Sequence, residues 1–272
     1  MSEFTTAFVG AGNMSRSIIS GLIANGFDAG SIRASNPSEG PLDELRKLGL
    51  VHLSQSNLSV AETADVLVLA VKPKLMQSVC EELAPVINEE QLVVSVAAGV
   101  AADSLHHWIG ARAEVVRCIP NTPSQLGAGA SGLFARDSVS AANRQRADDV
   151  MRAVGLVRWV EDEALLHAVT AVAGSAPAYF FQFMEAMIAE AQRMGLDEET
   201  ARTLCAQTCI GAGRMVAKGD VDASELRRRV CSPNGTTERA VAAFSAAGLE
   251  KIVSKAMQDC YARSVEMGRE LS

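Results

Sequence analysis

The stretch Phe4-Thr-Thr-Ala-Phe-Val-Gly-Ala-Gly-Asn-Met-Ser15 decides the fold of this chain. Its first half has the apolar pattern of a β-strand that ends at Val9, and an apolar helical run follows. Gly10 and Gly12 stand between them, which predicts a tight turn from a strand into a helix. Such a turn sets an anion, above all a pyrophosphate, on the free N–H groups that begin the helix. The expected dinucleotide-binding residues of this turn are Gly10, Ala11, Gly12, Asn13 and Met14.

Ser15 stands where motifs of this kind often carry a third glycine. A serine is small enough for the helix to pack closely on the strand, so we treat the departure as mild. A glycine turn that only redirects the chain is the alternative. The position of the turn between a strand and a helix, near the N-terminal end of the sequence, favours dinucleotide binding.

The composition argues against nucleic-acid and membrane partners. The chain has 272 residues, of which 48% are hydrophobic, and a formal net charge of −7. This length suits two domains better than one, and an acidic chain without a basic stripe does not fit a nucleic-acid partner. The apolar runs are only as long as strands, and the first residues do not resemble a signal peptide. We expect a cytoplasmic protein with a small-molecule substrate.

Cysteines and histidines indicate neither a disulfide framework nor a metal site. The cysteines at positions 80, 118, 205, 209, 231 and 260 include no C-x-x-C pair, and we expect them to be reduced and mostly buried. None of the histidines has metal-ligand spacing. His167 falls on an apolar helix face, where a core histidine with a satisfied ring is the usual explanation. The lack of a G-x-S-x-G segment argues against a nucleophile-elbow hydrolase.

Short β-like runs alternate with helical stretches as far as Val160. Continuous apolar strands separated by helices indicate a doubly wound, Rossmann-type parallel sheet that is covered on both faces. The predicted strands are Thr5–Val9, Ile32–Ser35, Val51–Leu53, Val66–Val71, Leu92–Val96 and Val115–Ile119, with weaker signals at Gly132–Ala135 and Leu156–Val160. The predicted helices are Met14–Ala24, Pro41–Leu48, Pro73–Leu83, Ala102–Trp108 and Ala141–Val154.

The pattern becomes entirely helical after Glu161. We therefore predict a dinucleotide-binding domain over residues 1–161 and an all-α domain for dimerisation and substrate binding over residues 162–272. An Ala-rich helical half makes a thin core on its own, so we expect a homodimer or a multiple of dimers. The predicted helices are Ala164–Val172, Ala178–Met194, Glu198–Lys218, Ser224–Val230, Thr237–Ala246 and Leu249–Glu270, with an N-cap at Asp197 and a helix stop at Gly219.

The end of the second strand bears on the choice of cofactor. An NAD site usually places an acid there for the ribose 2′-hydroxyl, whereas this chain has the neutral Ser35, Asn36 and Ser38 and the cationic Arg33. A 2′-phosphate would be tolerated, so the sequence predicts NADP(H), with NAD(H) as the alternative. We expect Ser35 and Asn36 to contact the cofactor, and an ordinary polar turn is the other interpretation.

Two further loops follow strand ends, where ligands collect in open α/β sheets. Val71, Lys72 and Pro73 are expected to contact the cofactor, more through the backbone than through the lysine charge. The stiff loop Pro120-Asn-Thr-Pro123 carries Asn121 and Thr122, which we expect to support the nicotinamide ring. A solvated lysine and a simple redirecting turn are the alternatives.

Two segments of the helical half put hydroxyls and small residues at prospective helix N-termini. They are Ala173-Gly-Ser-Ala-Pro-Ala-Tyr179 and Cys231-Ser-Pro-Asn-Gly-Thr-Thr237. The second suits a carboxylate, because free N–H groups around Asn234–Thr237 and the helix dipole favour an anion. The alternative is that both segments are only helix caps.

Together, these segments resemble the pyrroline-5-carboxylate reductase family. The resemblance implies reduction of 1-pyrroline-5-carboxylate to L-proline with NADPH or NADH, the last step of proline biosynthesis. It also implies a helical domain swapped between two subunits, with an active site between the cofactor domain of one subunit and helices of the dimer. The matching segments, in family order, are Phe8–Met14, Ala70–Pro73, Arg117–Pro123, Gly174–Tyr179 and Ser232–Thr237.

The resemblance also implies roles for single residues. Thr237 would be the catalytic residue that hydrogen-bonds the ring nitrogen, while the backbone of Ser232–Thr236 would hold the substrate carboxylate. Ala176 and Asn234 stand where the family usually has glycine, and we expect neither to abolish activity, since asparagine tolerates a positive φ. The implied substrate-binding residues are Ser175, Ser232, Asn234, Gly235, Thr236 and Thr237.

Two other functions stay open at this point. One is a 3-hydroxyacid-type dehydrogenase, which shares the glycine turn and a helical domain. Such enzymes rely on a lysine in a G-x-x-G-x-G-x-x-x-K type segment, and none follows Glu161. The other is a non-catalytic NADP-binding protein, against which the carboxylate-type loop before Thr237 argues.

Overall fold

A computed structural model describes residues 4–271 of the chain. The strands in this part of the chain are β1 (Thr6–Val9), β2 (Ile32–Ser35), β3 (His52–Ser54), β4 (Val66–Leu69), β5 (Leu92–Ser95), β6 (Glu114–Ile119), β7 (Gly129–Ala135) and β8 (Gly155–Trp159). They form one sheet in the order β3-β2-β1-β4-β5-β6-β7-β8. Neighbouring strands are parallel, except that β6 and β7 are antiparallel. The doubly wound sheet predicted from the sequence is confirmed.

Helices cover both faces of this sheet. They are α1 (Asn13–Ala24), α2 (Glu39–Lys47), α3 (Asn57–Ala61), α4 (Met76–Leu83), α5 (Ala102–Trp108) and α6 (Ala141–Arg152). Successive residues of a strand point to opposite faces, so Phe8 joins the core layer with α1 and α6. Its neighbours Ala7 and Val9 join the layer with α3, α4 and α5. Burial on both faces explains why the strand sequences are continuously apolar.

The strand register brings the carboxyl ends of the central strands level. Val9 pairs with Ser35 on one side and with Leu69 on the other, and Leu69 pairs with Ser95. The loops that follow these strands therefore lie side by side at one edge of the sheet. That edge is where open α/β sheets bind ligands.

Helices make up the rest of the described chain. They are α7 (Leu165–Val169), a π-helical turn (Thr170–Gly174), α8 (Ala176–Arg193), α9 (Glu198–Lys218), α10 (Ala223–Val230), α11 (Thr236–Ala246) and α12 (Leu249–Glu270). The side chain of Asp197 accepts from the Thr200 N–H and Gly219 has a φ of 77°, so α9 begins and ends as expected. Among residues 4–271, no helix combines the length and apolar character needed to cross a membrane.

The chain forms two compact units. One contains the sheet and runs to Pro177, and it also includes the chain from Asp259 onward. The other is helical and spans Ala178–Gln258. The change from strands to helices falls after β8, but the first helical turns stay with the sheet. One cause is Gly132, which leaves room for Val169, since a Cβ on Gly132 would lie 2.7 Å from the Val169 Cγ2. The predicted boundary at residue 161 stays a prediction about domains.

Local differences from the predicted elements have simple causes. Helix α3 is only five residues long, too short for a periodic signal. The predicted helix at Pro73 begins as a 3₁₀ turn over Pro73–Leu75 before α4. Strand β7 begins at Gly129, earlier than expected, because its glycines hide the strand pattern.

Gly21 tests how closely α1 packs on its neighbours. A Cβ on Gly21 would lie 2.6 Å from Val154 Cγ1 and 2.7 Å from the Ser124 carbonyl oxygen. We expect Gly21→Ala to lower the free energy of unfolding by about 1–3 kcal/mol through overpacking, although alanine favours a helix. The control is Gly40→Ala in α2, where a Cβ meets nothing within 4 Å. That change is expected to raise the free energy of unfolding by up to about 1 kcal/mol. Urea unfolding at one fixed protein concentration measures both, and a stabilising Gly21→Ala would contradict the packing argument.

Candidate functional site

The turn after β1 is built on a close approach of two backbones. Gly10 has a φ of 96°, and a Cβ there would lie 2.8 Å from the carbonyl oxygen of Ala70. The Gly10 N–H donates to the Ser35 carbonyl at 2.9 Å, which fixes the turn between two neighbouring strands. A side chain at position 10 would clash and would also strain the backbone. Glycine is therefore required here by both space and conformation.

Helix α1 begins with N–H groups that no side chain caps. Gly12 is the N-cap residue and makes no side-chain cap, and the first turn holds no acidic residue. A Cβ on Gly12 would meet nothing within 4 Å, so its backbone faces open space. The N–H groups of the first turn, from Asn13 and Met14, have no acceptor within the helix. Together with the helix dipole they make a site for an anion.

Ser15 does more than replace a glycine. Its side chain is buried, as close packing of the helix on the sheet requires. Its hydroxyl donates to the carbonyl of Gly10, so the serine holds the turn from inside. This contact leaves the N–H groups of the turn facing outward.

The structure separates the three polar residues near the end of β2. Ser35 is fully buried, and its hydroxyl donates to the Asn57 Oδ1 at 2.8 Å. Arg33 lies two positions before the strand end, pairs with Ala7 and has a buried Nε. Asn36 is half-buried and accepts from the Ala11 N–H at 3.3 Å. Of the three side chains, Asn36 is the one in direct contact with the glycine turn.

A serine-rich loop after β3 also lies at this edge, although the sequence analysis does not predict it. The Asn36 N–H donates to the Ser54 carbonyl at 3.1 Å, and Ser56 and Asn57 follow at the start of α3. The run Ser54-Gln-Ser-Asn57 after a third strand was the available signal, because parallel strands end at a common edge. These residues add hydroxyl and amide groups beside Asn36.

The loop after β4 lies against the glycine turn through its backbone. The Ala70 N–H donates to the Val9 carbonyl at 2.9 Å and continues the strand pairing. Val71 and Pro73 are half-buried, whereas Lys72 is exposed. The structure thus places this loop beside Gly10, where a Cβ would lie 2.8 Å from the Ala70 carbonyl oxygen and 3.2 Å from the Val71 Cγ1.

Asn121 points inward from the loop after β6. Its side chain is 7% exposed. The Oδ1 accepts from the Ala130 N–H at 2.9 Å, and the Nδ2 donates to the Ala173 carbonyl at 3.1 Å. Both ends of the amide are used within the protein, so the side chain is not a free polar tip. Thr122, the next residue, is exposed.

Ser175 follows the π-helical turn and stands close to the same loop. A Cβ on Gly174 would lie 3.1 Å from Ile119 Cγ2, so the turn packs on the end of β6. The Ser175 N–H donates to the Thr170 carbonyl at 2.9 Å, and its hydroxyl accepts from the Cys260 thiol at 3.3 Å. Asn121 and Ser175 are far apart in the sequence, and the structure brings the loops that carry them together.

Residues 232–237 form a tight turn into α11 within the helical unit. Asn234 has a φ of 60°, which confirms that asparagine takes the left-handed conformation here. The Gly235 N–H donates to the Ser232 carbonyl at 2.9 Å, and the Asn234 N–H donates to Glu238 Oε2 at 2.7 Å. The expectation of free N–H groups at Asn234 and Gly235 is wrong, because the turn itself uses them. The N–H groups of Thr236 and Thr237 lie in the first turn of α11 and have no acceptor within the helix.

A polar cavity of about 400 Å³ lies in the sheet unit between α7 and α12. Arg117 is 4% exposed there and pairs with Glu163 at 2.9 Å. His167 is hydrogen-bonded to the Ser264 hydroxyl at 2.8 Å. Burial, and then the Arg117 guanidinium, hold the pKa of His167 below its ordinary value, against a smaller opposing effect of Glu163. The Nδ1 of His167 has a partner, but the residue is half-buried and lines this cavity, so it is not the core histidine that the sequence predicts.

The six cysteines are free thiols. Burial raises the pKa of Cys80 and of Cys118 to about 12, so neither is a reactive thiolate. Within residues 4–271, no cluster of three or more histidine, cysteine or acidic side chains could hold a metal ion.

A parallel sheet with an uncapped helix N-terminus at its carboxyl edge, followed by helices, defines a dinucleotide-binding oxidoreductase. The chain is 47% identical over 271 residues to the pyrroline-5-carboxylate reductase of Pseudomonas aeruginosa, covering 100% of this chain and 99% of that protein. The chain belongs to the pyrroline-5-carboxylate reductase family. Residues 163–267 match the family described as pyrroline-5-carboxylate reductase dimerisation, and residues 5–99 match the family described as NADP oxidoreductase, coenzyme F420-dependent.

Solved structures agree with this assignment. The pyrroline-5-carboxylate reductase of Coxiella burnetii has a TM-score of 0.90 at 42% identity, over 98% of this chain and 99% of that one. The pyrroline carboxylate reductase of Plasmodium falciparum, solved with NADP bound, has a TM-score of 0.88 over 98% of this chain and 99% of that one. At 24% identity, the second likeness concerns the fold.

Gly12 offers a test of the anion site that is separate from folding. A Cβ there meets no atom within 4 Å, so we expect Gly12→Ala to lower the free energy of unfolding by no more than about 1 kcal/mol, the cost of replacing a glycine N-cap with alanine. The new methyl group would occupy the space where phosphates approach the backbone, so the Kd for NADPH should rise at least tenfold. Fluorescence titration and urea unfolding without cofactor measure the two effects.

Gly10→Ala is the matched control for Gly12→Ala. Its positive φ and the nearby Ala70 carbonyl predict a loss of stability of about 1–3 kcal/mol. A Gly12→Ala protein that binds NADPH as the wild type does would exclude the start of α1 as the phosphate site.

Proposed function

We propose that the protein reduces 1-pyrroline-5-carboxylate to L-proline with NADPH, in the cytoplasm. The observation that carries the proposal is the open anion site at Gly12, in a chain that matches pyrroline-5-carboxylate reductases over its whole length. NADPH fits the carboxyl edge of the sheet, because the backbone at Gly12 is accessible and no acidic residue stands at the end of β2, where Ser35, Asn36 and Ser38 are uncharged.

When bound, NADPH supplies a hydride to the C5 imine carbon, and the C=N bond becomes a C–N single bond whose nitrogen carries a proton. The N–H groups of Gly12, Asn13 and Met14 bind the pyrophosphate, and Asn36 lies toward the ribose 2′-phosphate. The backbone of Val71–Pro73 borders the cofactor beside the glycine turn, and Thr122 borders the nicotinamide. These contacts orient the reacting atoms, which is the main contribution that a hydride-transfer site makes.

The substrate contacts belong to the loop before α11. The N–H groups and hydroxyls of Thr236 and Thr237 bind the substrate carboxylate, with support from the Ser232 hydroxyl and the helix dipole. Thr237 also hydrogen-bonds the ring nitrogen. Asn234 and Gly235 shape the turn rather than donate to the substrate, and Ser175 contributes a hydroxyl. A protonated imine is already electrophilic, so orientation is enough and no single side chain is an indispensable acid.

A coupled pair of assays tests the proposal. Purified protein is mixed with NADPH and 1-pyrroline-5-carboxylate, and loss of NADPH is followed together with appearance of proline. The reverse reaction of a 3-hydroxyacid with NADP is run beside it. Turnover in the first assay alone is the expected result. Turnover of the 3-hydroxyacid alone, or NADPH binding without turnover of either substrate, would refute the proposal in favour of a hydroxyacid dehydrogenase or a non-catalytic binding protein.

Cofactor preference can be tested at Asn36. The Asn36→Asp change keeps an acceptor for the Ala11 N–H and removes the Nδ2 donor to the Ser38 carbonyl and hydroxyl. It also places a negative charge toward the 2′-phosphate. We expect kcat/KM for NADPH to fall at least tenfold while that for NADH changes less than threefold. Ser35 is unsuitable for this test because an acid there would be buried against Asn57.

Asn88→Asp is the matched control for this change. Asn88 is exposed, and its Oδ1 likewise accepts from a backbone N–H, that of Glu90. It precedes β5, so it lies at the opposite edge of the sheet. Equal loss of NADPH activity in both variants, or a wild type that prefers NADH tenfold, would contradict the predicted preference.

Thr237 tests the substrate loop. Thr237→Ala should lower kcat/KM for 1-pyrroline-5-carboxylate by about one to two decades, since a hydrogen bond to a charged group contributes about 1.5–3 kcal/mol. The Kd for NADPH should stay within twofold of the wild-type value. Thr237→Ser, which keeps the hydroxyl, should recover most of the activity. Unchanged kinetics with a loss of about 1 kcal/mol of stability would mean that the threonine is only a helix cap.

We also propose that the chain works as a homodimer or a multiple of dimers. Large apolar side chains of the helical unit are exposed in the single chain, among them Phe180 at 58%, Phe181 at 59% and Ile252 at 60%. An exposed apolar surface of this kind is covered in a stable assembly. Sedimentation at micromolar concentration should show no monomer, and a stable, active monomer would exclude the proposal.

A further inference from the structure

The side chain of Asn121 supplies a hydrogen-bond donor to the Ala173 carbonyl, which a proline deprives of its usual backbone donor. In a regular helix, the carbonyl of Ala173 would accept from the N–H four residues later. That residue is Pro177, which has no N–H. The Asn121 Nδ2 donates to this carbonyl instead, at 3.1 Å. The link joins two loops whose central residues are more than fifty positions apart in the chain.

The oxygen of the same amide is also hydrogen-bonded within the protein. The Oδ1 of Asn121 accepts from the Ala130 N–H at 2.9 Å, at the start of β7. The side chain is 7% exposed, so neither hydrogen bond competes strongly with water. A short, stiff loop between two prolines is thereby held to the sheet on one side and to the π-helical turn on the other. Turns of this type occur often at functional sites.

We propose that Asn121 is a positioning residue that holds the Asn121–Thr122 loop at a fixed distance from the loop that presents Ser175. This inference rests on the proposed function, in which Thr122 borders the nicotinamide and Ser175 belongs to the substrate site. Asn121 itself then touches neither cofactor nor substrate with its side chain. Its loss changes the alignment of the reacting atoms rather than the affinity for NADPH.

Kinetic measurements on Asn121→Ala and Asn121→Asp test this role. The aspartate variant keeps the acceptor for Ala130 but replaces the donor to Ala173 with a carboxylate oxygen, which repels the Ala173 carbonyl; the alanine variant removes both hydrogen bonds without adding a charge. For both variants we expect kcat to fall at least tenfold, while the Kd for NADPH stays within threefold of the wild type. Deuterium at the transferred position of NADPH should slow the variants more than the wild type, because hydride transfer becomes more rate-limiting. A raised NADPH Kd with an unchanged kcat at saturating NADPH would make Asn121 a cofactor contact and overturn the proposal.

A second variant tests whether Asn121 matters because it links the two loops or only because it gives the Ala173 carbonyl a hydrogen-bond donor. Pro177→Ala supplies the missing N–H to Ala173, so Asn121→Ala/Pro177→Ala should regain thermal stability relative to Asn121→Ala. Its kcat, compared with that of Pro177→Ala alone, should stay low, because the link between the loops is still absent. Recovery of kcat together with stability would overturn the proposal.

Asn143→Ala is the control for a general loss of stability. Asn143 is also 7% exposed, and its Nδ2 donates to Glu114 at 2.8 Å, away from the carboxyl edge. We expect lower thermal stability with kcat and isotope effect unchanged. A kinetic loss equal to that of Asn121→Ala would contradict a specific role.

Hydrogen exchange gives a readout that needs no substrate. Amides of residues 122–130 and 170–176 should exchange at least tenfold faster in Asn121→Ala than in the wild type, with α6 unchanged. Unaltered exchange in these segments would overturn the inference. An inactive wild type with faster exchange in the variant would instead refute the proposed reaction and leave the link between the loops established.

Discussion

The close approach of two backbones at the carboxyl edge of the sheet is the constraint on which the rest of the site depends. Gly10 leaves β1 with a positive φ and lies against the carbonyl of Ala70. Because no side chain intervenes, α1 begins directly at the sheet edge. Its uncapped N–H groups then face the loops after β2 and β4. An anion site built from backbone N–H groups follows from this geometry.

Polar side chains around this edge mostly build the loops instead of facing a ligand. Ser15, Ser35 and Asn121 are buried and hydrogen-bonded within the protein. Buried polar groups need such partners, since an unpaired one is costly. The backbone N–H groups and the exposed Thr122 are therefore left for ligands. Because the buried polar side chains hold the loops, the site can be rigid while its backbone N–H groups stay accessible to a dinucleotide.

In the helical unit, the helix α11 also begins after a tight turn that is held by hydrogen bonds within the protein. Asn234 adopts a left-handed conformation, and the carboxylate of Glu238 accepts from its N–H. The turn is thus stabilised by its own residues before any ligand binds. The N–H groups of Thr236 and Thr237, in the first turn of α11, have no acceptor within the helix. Asn234 stands where the resemblance to the family places a glycine, and it takes a positive φ of 60°.

The sequence by itself determined the strand and helix pattern, the doubly wound sheet, the glycine turn before α1 and the family, because each depends on local periodicity or on a contiguous motif. Tertiary structure decided which polar residues face inward. The sequence predicts that Ser35, at a strand end, and Asn121, in a loop, contact the cofactor, yet their side chains are buried against partners far along the chain, Asn57 and Ala173. The serine-rich loop after β3 likewise joins the site only through strand register. Contacts between distant segments carry no periodic signal, so only the folded chain reveals them.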